Sequence, residues 1–347
     1  MVHLVWWKAT QRSYVSISNI SADSGHNGHL SPWGTPLANA TLLMLCRNSD
    51  MDGVLSSMSQ LEMRFNHRFG YPWIILNDQP FTQDFKTQVI EQTNATVSFG
   101  LISREHWEQP EWIDEQKASA ARKSMSGMMR FVPYGGSISY RNMCRFNSGF
   151  FFRHDLLLPY KYYWRVEPDV QYFCDIQYDP FVFMQEHNKT YGFIMSMREY
   201  LSTIPTLWEN VKGFMRDNHA ILPPNNTLGF ISEDLGETYN LCHYWSNFEI
   251  ADMDFWRSDE YTRLFEYLDR KGGFYYERWG DAPVHTIAAS LFLRKEQIHF
   301  FRDIGYRHEP FERCPVGEAW EQGRCTCDPQ MTFDTWSNSC LGKWEEL

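Results

Sequence analysis

Two carboxylates, Glu167 and Asp169, stand on either side of Pro168 directly after the run 162–166. Its tyrosines, tryptophan and valine favour a β-strand. Proline cannot continue a sheet ladder, so the chain must turn where the two acids stand. Ligands of open α/β sheets bind at the carboxyl ends of the strands. The acids can therefore hold a hard divalent cation and, through it, a diphosphate, or they can simply face water.

A second stretch of chemically capable residues spans 239–251, where aromatic, amide and acidic side chains alternate with little helical periodicity. This mixture suits sugar recognition. Aromatic rings can stack on the apolar face of a sugar, while Asn247 and Glu249 can form hydrogen bonds to its hydroxyl groups.

A third acidic residue, Asp281, precedes an apolar pattern with a helical period. Pro283 fits the first turn of that helix, and Asp281 fits its N-cap. The pattern therefore predicts a capping role for Asp281 as the alternative to a role in chemistry. The lone histidines His243 and His285 are predicted to be structural.

The elements that must position these residues begin with three apolar runs, 40–48, 73–78 and 96–102, separated by helical patterns. A β-α-β-α-β series predicts a parallel sheet of the nucleotide-binding type. No glycine-rich phosphate-binding motif is present, so a phosphate needs a metal or basic side chains. We predict Arg47, after the first strand, and Arg130, at the end of a helical segment, as such contacts to a diphosphate.

Bulk composition limits the class of partner. The chain has 347 residues and a formal net charge of −11, which argues against nucleic acid as a partner. We divide the sequence into a lead-in over 1–38, a catalytic domain over 39–312 and a cysteine-rich tail over 313–347. No apolar run of about 18 residues is present to span a membrane.

The cysteines are crowded towards the end of the chain. Four of the eight fall in the tail, at Cys314, Cys325, Cys327 and Cys340. Zinc ligation and disulfide bonding are both open, but Cys-x-Cys is one residue short of the usual zinc spacing, which favours disulfides. Five glycosylation sequons also favour an oxidising secretory compartment, and they begin at Asn19, Asn39, Asn94, Asn188 and Asn225.

Read together, the stretches 163–169, 239–251 and 272–285, with 139–146 and 303–306, resemble the fungal α-1,2-mannosyltransferases of glycosyltransferase family 15. The resemblance runs from about residue 40 to the C-terminus. It implies a GT-A fold, which is a Rossmann-like, mostly parallel sheet flanked by helices, with a disulfide-tied tail. It also implies GDP-mannose as donor, Mn²⁺ as cofactor and transfer with retention of the α-configuration.

The resemblance further implies an acceptor and a compartment. The acceptor is a mannose-terminated N- or O-linked glycan of a glycoprotein, modified in the Golgi lumen. The family's N-terminal membrane anchor is expected to lie outside this sequence. Two alternatives stay open, a catalytically inactive mannan-binding relative and a mannoside hydrolase that uses Glu167 and Glu249 as its carboxylate pair.

The same resemblance assigns roles to individual residues. Glu167 is the expected metal ligand and His308 its second protein ligand, while Asp169 supports them or binds sugar. Further positions are donor contacts at Tyr140 and Arg165 and a mannose and acceptor wall at Trp245, Asn247 and Asp281. Glu249 falls on the family's candidate nucleophile, and Glu249 and Asp281 are the expected catalytic residues. Glu249 either attacks to form a covalent mannosyl-enzyme or steadies charge while the acceptor attacks on the leaving-group face.

Overall fold

Twelve strands organise the part of the chain that the computed structural model describes, which comprises residues 30–31, 34–127 and 132–347. In chain order the strands are β1 Ala40–Leu45, β2 Trp73–Asn77, β3 Val97–Leu101, β4 Tyr162–Arg165, β5 Gln171–Tyr172, β6 Tyr191–Phe193, β7 Ser196–Arg198, β8 Cys242–Tyr244, β9 Glu249–Asp252, β10 Ile298–Phe300, β11 Tyr306–His308 and β12 Phe311–Arg313. The predicted strands near 40–48, 73–78, 96–102 and 162–166 all form.

The central sheet has seven strands in the order β10-β6-β9-β4-β1-β2-β3. Neighbours are parallel throughout, except that β9 runs antiparallel to both β4 and β6. The prediction of a mostly parallel sheet is therefore confirmed. Two small antiparallel sheets, β12-β11-β5 and β7-β8, lie beside it.

Helices connect the strands. Within the described residues they are α1 Met51–Leu61, α2 His67–Phe69, α3 Gln83–Ile90, α4 Arg104–Trp107, α5 Glu115–Ser126, α6 Ile138–Gly149, α7 Pro180–Glu186, α8 Leu207–Asp217, α9 Leu228–Ile231, α10 Met253–Trp256, α11 Asp259–Asp269, α12 Gly273–Tyr276, α13 Asp281–Phe292, α14 Glu318–Gln322 and α15 Leu341–Glu346. In this part of the chain no helix combines the length and the apolar character that a membrane crossing requires.

The sheet is covered by apolar side chains on both faces, because alternate residues of a strand point to opposite sides. In β4, Tyr163 belongs to the core on one face and Trp164 to the core on the other. In β1, Leu43 and Leu42 divide in the same way. A polar group on a central strand is therefore buried unless it lies at the strand's end.

The tail is tied to the rest of the protein by disulfides, as predicted. Cys174–Cys325 and Cys242–Cys340 join the tail to the rest of the protein, and a third bond, Cys314–Cys327, lies within the tail. The cysteines left free in the described chain, Cys46 and Cys144, are both buried. These bonds exclude the zinc alternative for the tail, since a disulfide sulfur is not available as a thiolate ligand.

Candidate active site

A cleft of about 950 Å³ opens at the carboxyl ends of β1, β2 and β4. The sequence-predicted residues that line it are Arg47, Tyr140, Arg165, Glu167, Trp245, Asn247, Asp281 and His308. They come from segments far apart in the chain, so the fold converges on one site. Arg130 lies outside the described residues, and Glu249 and Asp169 are not part of the wall.

Arg165, the last residue of β4, joins two carboxylates of the cleft. Its Nε donates to Glu167 Oε1 at 2.7 Å and its Nη1 to Asp281 Oδ2 at 2.5 Å. Burial alone would lower the pKa of Arg165, but the negative charges of Glu167 and Asp281 outweigh it and raise the pKa well above its ordinary value. Arg165 is therefore a permanent cation at the base of the cleft.

Asp281 does not cap its helix, so that prediction is wrong. It is the first residue of α13, and the preceding residue, Gly280, occupies the N-cap position. Its carboxylate accepts hydrogen bonds from Arg165 and from Ser246 Oγ at 2.8 Å. Burial raises the pKa of Asp281, but the Arg165 charge and these bonds prevail and lower it. The buried guanidinium is a stronger partner than a helix N–H group.

Glu167 and His308 stand on the same cleft and offer one oxygen and one nitrogen ligand. Glu167 Oε1 is bonded to Arg165, which leaves Oε2 for a cation. His308 Nδ1 lies 3.1 Å from the carbonyl oxygen of Glu309. A carbonyl only accepts, so Nδ1 carries the proton and Nε2 presents its lone pair, the usual arrangement for a ligating histidine.

The ligand set fits a cation that arrives with a substrate. In residues 30–31, 34–127 and 132–347, no group of three or more histidine, cysteine or acidic side chains is arranged to hold a metal. A cation bound by Glu167 and His308 would complete its coordination with phosphate oxygens and water. Cations that bridge nucleotide phosphates bind in this way, through one or two protein carboxylates.

The predicted diphosphate side of the cleft is basic and aromatic. Arg47 is held by a hydrogen bond from Nη2 to Ser139 Oγ at 2.7 Å. Tyr140 lies in the first turn of α6, and its ring stacks on that of Tyr134 at 4.5 Å between centroids. Burial raises the pKa of Tyr140, so its hydroxyl stays protonated and can donate a hydrogen bond.

Glu249 is buried in the core rather than exposed in the cleft. Only 1% of its surface is accessible. Oε1 accepts from Tyr163 at 2.7 Å, and Oε2 accepts from Tyr191 and from His285 Nδ1, both at 3.0 Å. The structural role predicted for His285 fits this position. With both oxygens engaged, Glu249 is not presented to a sugar, which opposes its role as a nucleophile.

Asp169 also departs from its predicted place. It is exposed, its φ is 61°, and its carboxylate packs so closely on α1 that a Cβ on Gly53 would lie 2.6 Å from Asp169 Cγ. The turn after Pro168 therefore sends Glu167 into the cleft and Asp169 out of it. The two acids do not form a paired cation site.

Arg278 and Glu199 line the cleft without a role assigned from the sequence, and His243, which was predicted to be structural, lines it as well. Arg278 Nη2 lies 3.5 Å from Glu199 Oε1, and its guanidinium lies 5.2 Å from the centre of the Tyr140 ring. In the described structure Arg278 Nε and His243 Nδ1 are buried without a hydrogen-bond partner, as is Asn247 Oδ1. Unpaired buried polar atoms facing one cleft indicate a polar ligand. Arg278 lies in the motif 272–285 and His243 in the motif 239–251, but the sequence around each does not indicate which residue it contacts in the fold.

Comparison with known proteins assigns the chain to a family. Residues 10–347 match the glycolipid 2-alpha-mannosyltransferase family, so the match begins earlier than the residue 40 indicated by the motifs. The alpha-1,2 mannosyltransferase KTR1 of Saccharomyces cerevisiae is 50% identical over 90% of this chain and 79% of its own length. The O-glycoside alpha-1,2-mannosyltransferase omh1 of Schizosaccharomyces pombe is 46% identical over 96% of this chain and 83% of its own.

Two solved structures share the fold. The mannosyltransferase Ktr4p of S. cerevisiae in complex with GDP superposes with a TM-score of 0.85 at 40% identity, over 95% of this chain and 87% of Ktr4p. The Mn/GDP form of core-mannan synthase A from Aspergillus fumigatus gives 0.84 at 39%, over 93% and 87%. These matches confirm the predicted glycosyltransferase fold, and the chain belongs to the glycolipid 2-alpha-mannosyltransferase family, whose members are mannosyltransferases.

Proposed function

We propose that this enzyme transfers mannose from GDP-mannose to the 2-hydroxyl of a terminal α-mannose, with Mn²⁺ as cofactor and with retention of configuration. The observation that carries the proposal is the cleft itself, where Arg165 ties Glu167 to Asp281 beside His308. The GDP and Mn/GDP forms of the two structural relatives support the donor and the cofactor.

In this proposal the cation and the diphosphate bind in the part of the cleft next to the carboxyl ends of β1 and β4. Glu167 and His308 would hold Mn²⁺, with Arg47 and Tyr140 as contacts to the donor. When bound, the cation offsets the negative charge that develops on the departing GDP. Arg165 fixes the orientation of Glu167, so the ligand carboxylate is set before the donor arrives.

The mannose of the donor and the acceptor sugar bind next to Asp281, Trp245 and Asn247. Asp281 is ionised and held by Arg165 and Ser246, so it can accept hydrogen bonds from sugar hydroxyl groups. Trp245 offers an aromatic face, and Asn247 Oδ1 lacks a protein partner in the described chain. These groups orient the ring for transfer through an oxocarbenium-like state.

Burial of Glu249 favours attack on the leaving-group face over a covalent route. The bond from the mannose anomeric carbon to the phosphate oxygen breaks, and the acceptor oxygen bonds to the same face of that carbon. The acceptor's proton passes to the departing phosphate oxygen. Glu249 then acts as a positioning residue, since its negative charge lies near the Arg165 guanidinium, which in turn holds Glu167 and Asp281.

The acceptor and compartment follow from chemistry and from the relatives. The family name cites glycolipids and the name of omh1 cites O-glycosides. We propose a mannose-terminated glycan, N-linked or O-linked, as acceptor. Three disulfides support a secretory compartment, and we propose the Golgi lumen. A hydrolase built on Glu167 and Glu249 is disfavoured because Glu249 does not line the cleft.

The test is transfer from GDP-mannose to methyl α-mannoside, with Mn²⁺ and with EDTA, followed by linkage analysis. We expect an α-1,2-linked disaccharide that forms only with the metal. Release of free mannose without any disaccharide would contradict transferase function, and GDP binding without turnover would indicate a binding protein.

A further inference from the structure

Aromatic side chains continue from the cleft onto the surface of the tail. The ring of Trp245 packs edge-on against Phe311, with 5.6 Å between centroids, and Phe311 packs in the same manner against Trp336 at 5.9 Å. Trp245 and Phe311 line the cleft, whereas Trp336 stands outside it and is 49% exposed. The Trp336 ring is therefore a large, exposed apolar group that contacts the edge of the active-site cleft at Phe311.

The backbone that follows Trp336 is held to the cleft wall by hydrogen bonds and a disulfide. Arg198 of β7 donates from Nη1 to the carbonyl of Ser337 at 2.9 Å and from its backbone nitrogen to that of Asn338 at 3.1 Å. Two residues further along, Cys340 is bonded to Cys242 of β8. With this anchored backbone, packing on Phe311 and Phe333 holds the Trp336 ring in place before any ligand binds, which reduces the entropic cost of binding.

Polar groups accompany the exposed ring. Asn338 and Arg198 both line the cleft next to it and offer amide and guanidinium donors. A pyranose has a face of C–H groups that packs on an aromatic ring and an edge of hydroxyl groups that bond to such donors. The combination of a fixed indole and two polar side chains therefore matches a sugar better than a purely apolar partner.

We propose that Trp336 is an outer sugar platform that stacks on a mannose of the acceptor glycan, beyond the mannose that receives the transferred sugar. The inference rests on the proposed function, because it takes the Trp245 end of the cleft as the acceptor side. We infer the ligand from the order of the rings. Phe311 lies between Trp245 and Trp336, so a short oligosaccharide bound at Trp245 would extend past Phe311 to Trp336. The tail thereby contributes to the choice of acceptor as well as to stability.

The experiment compares two acceptors, methyl α-mannoside and α-1,2-mannotriose, with the full chain and with variants. We expect the unaltered enzyme to have the lower KM for mannotriose. Trp336→Ala should raise the KM for mannotriose about fivefold to tenfold relative to that for methyl α-mannoside, from lost stacking. Trp336→Phe should restore most of the preference because it keeps a ring.

Trp112→Ala is the matched control, since Trp112 is 51% exposed in the turn between α4 and α5. An equal change for both acceptors, or no change in either, would overturn the platform while leaving the proposed function intact. A Trp336→Phe enzyme as impaired as Trp336→Ala would also overturn it. Absence of transfer by the unaltered chain to both acceptors would instead overturn the proposed function, and the platform with it.

Discussion

Arg165 Nη1 and Asp281 Oδ2 are joined at 2.5 Å although the residues stand 116 positions apart in the chain. Both side chains are almost fully buried, at 10% and 6% exposure. Arg165 also holds Glu167, so one guanidinium fixes the expected metal ligand and the expected sugar-binding acid together. Replacement of Asp281 is therefore expected to alter the position of Glu167, and replacement of Glu167 that of Asp281.

Replacement of Asp281 tests that coupling. Asp281→Asn keeps the shape of the side chain but leaves Arg165 with one anionic partner in place of two. We expect transfer to fall by about 100-fold or more and the free energy of unfolding to fall by about 1–3 kcal/mol. Initial rates and thermal unfolding measure both effects.

Asp269→Asn is the control for that variant. Asp269 accepts two hydrogen bonds from Arg145, at 2.8 and 2.9 Å, in a similarly buried ion pair that does not line the cleft. It should cost stability without a comparable loss of transfer. Equal losses of activity in the two variants would mean that Asp281 acts only through folding.

The roles of Glu167 and Asp169 separate in a binding experiment. Glu167→Gln removes the charged oxygen ligand, so Mn²⁺-dependent GDP binding should weaken by at least about tenfold and transfer should be lost. Asp169→Asn should leave GDP binding unchanged, because Asp169 lies outside the cleft and asparagine tolerates its positive φ. Titration calorimetry with GDP, with and without Mn²⁺, distinguishes the two. Normal metal-dependent binding by Glu167→Gln would refute the ligand assignment.

Sequence patterns predicted the elements of this fold better than the directions of individual side chains. The runs of β1 and β2 are apolar apart from Thr41 and the terminal Asn77, and polar turns follow them, which is enough to predict buried parallel strands. Glu249 is different, because it lies opposite Arg165 in the β4–β9 register, on a strand covered on both faces. Nothing in its neighbours tells whether it faces the core or the cleft.

Asp281 and Glu199 illustrate a second limit of sequence patterns. Asp281 has the residue type of an N-cap and is followed by Pro283 in the first turn, yet its carboxylate pairs with the Arg165 guanidinium of β4. Glu199 pairs with Arg278, which stands 79 positions further along the chain, and no spacing rule relates them. Local signals predict local structure, whereas ion pairs between distant segments depend on the finished fold.

Replacement of Glu249 distinguishes a positioning role from a covalent one. Glu249→Gln retains partners for Tyr163 and Tyr191 but removes the negative charge near Arg165. We expect kcat to fall by about 10- to 100-fold with little change in the KM for GDP-mannose. A nucleophile would cost far more. Steady-state kinetics with both substrates provides the comparison.

Azide tests directly whether Glu249 is a nucleophile. In Glu249→Ala, azide can occupy the space of a missing nucleophile and attack the donor to give β-mannosyl azide. We expect none, because the Glu249 carboxylate lies in the core rather than beneath the sugar. Formation of β-mannosyl azide, detected by mass spectrometry and NMR, would establish the covalent route and exclude the same-face mechanism favoured above.

His299 makes stability depend on pH in a direction that follows from its surroundings. Burial against Phe183 and Phe301, with Lys189, His187 and Arg302 nearby, lowers the pKa of His299 from 6.5 to about 4. Above pH 6.5 the ring is neutral in both states and contributes nothing. Between pH 6.5 and 4 the His299 ring is protonated in the unfolded chain but stays neutral in the folded chain. The free energy of unfolding therefore falls as the pH falls.

His299→Gln removes that titration. Because the ring is partly exposed, we expect it to account for only about 1–2 kcal/mol of the acid-induced loss in unfolding free energy. The variant's melting temperature should therefore decline less steeply than the parent's from pH 6.5 to 4, whatever its value at neutral pH. His219→Gln, at an exposed histidine, should keep the parental slope. A parental slope in His299→Gln would mean that His299 protonates equally in the folded and unfolded chains.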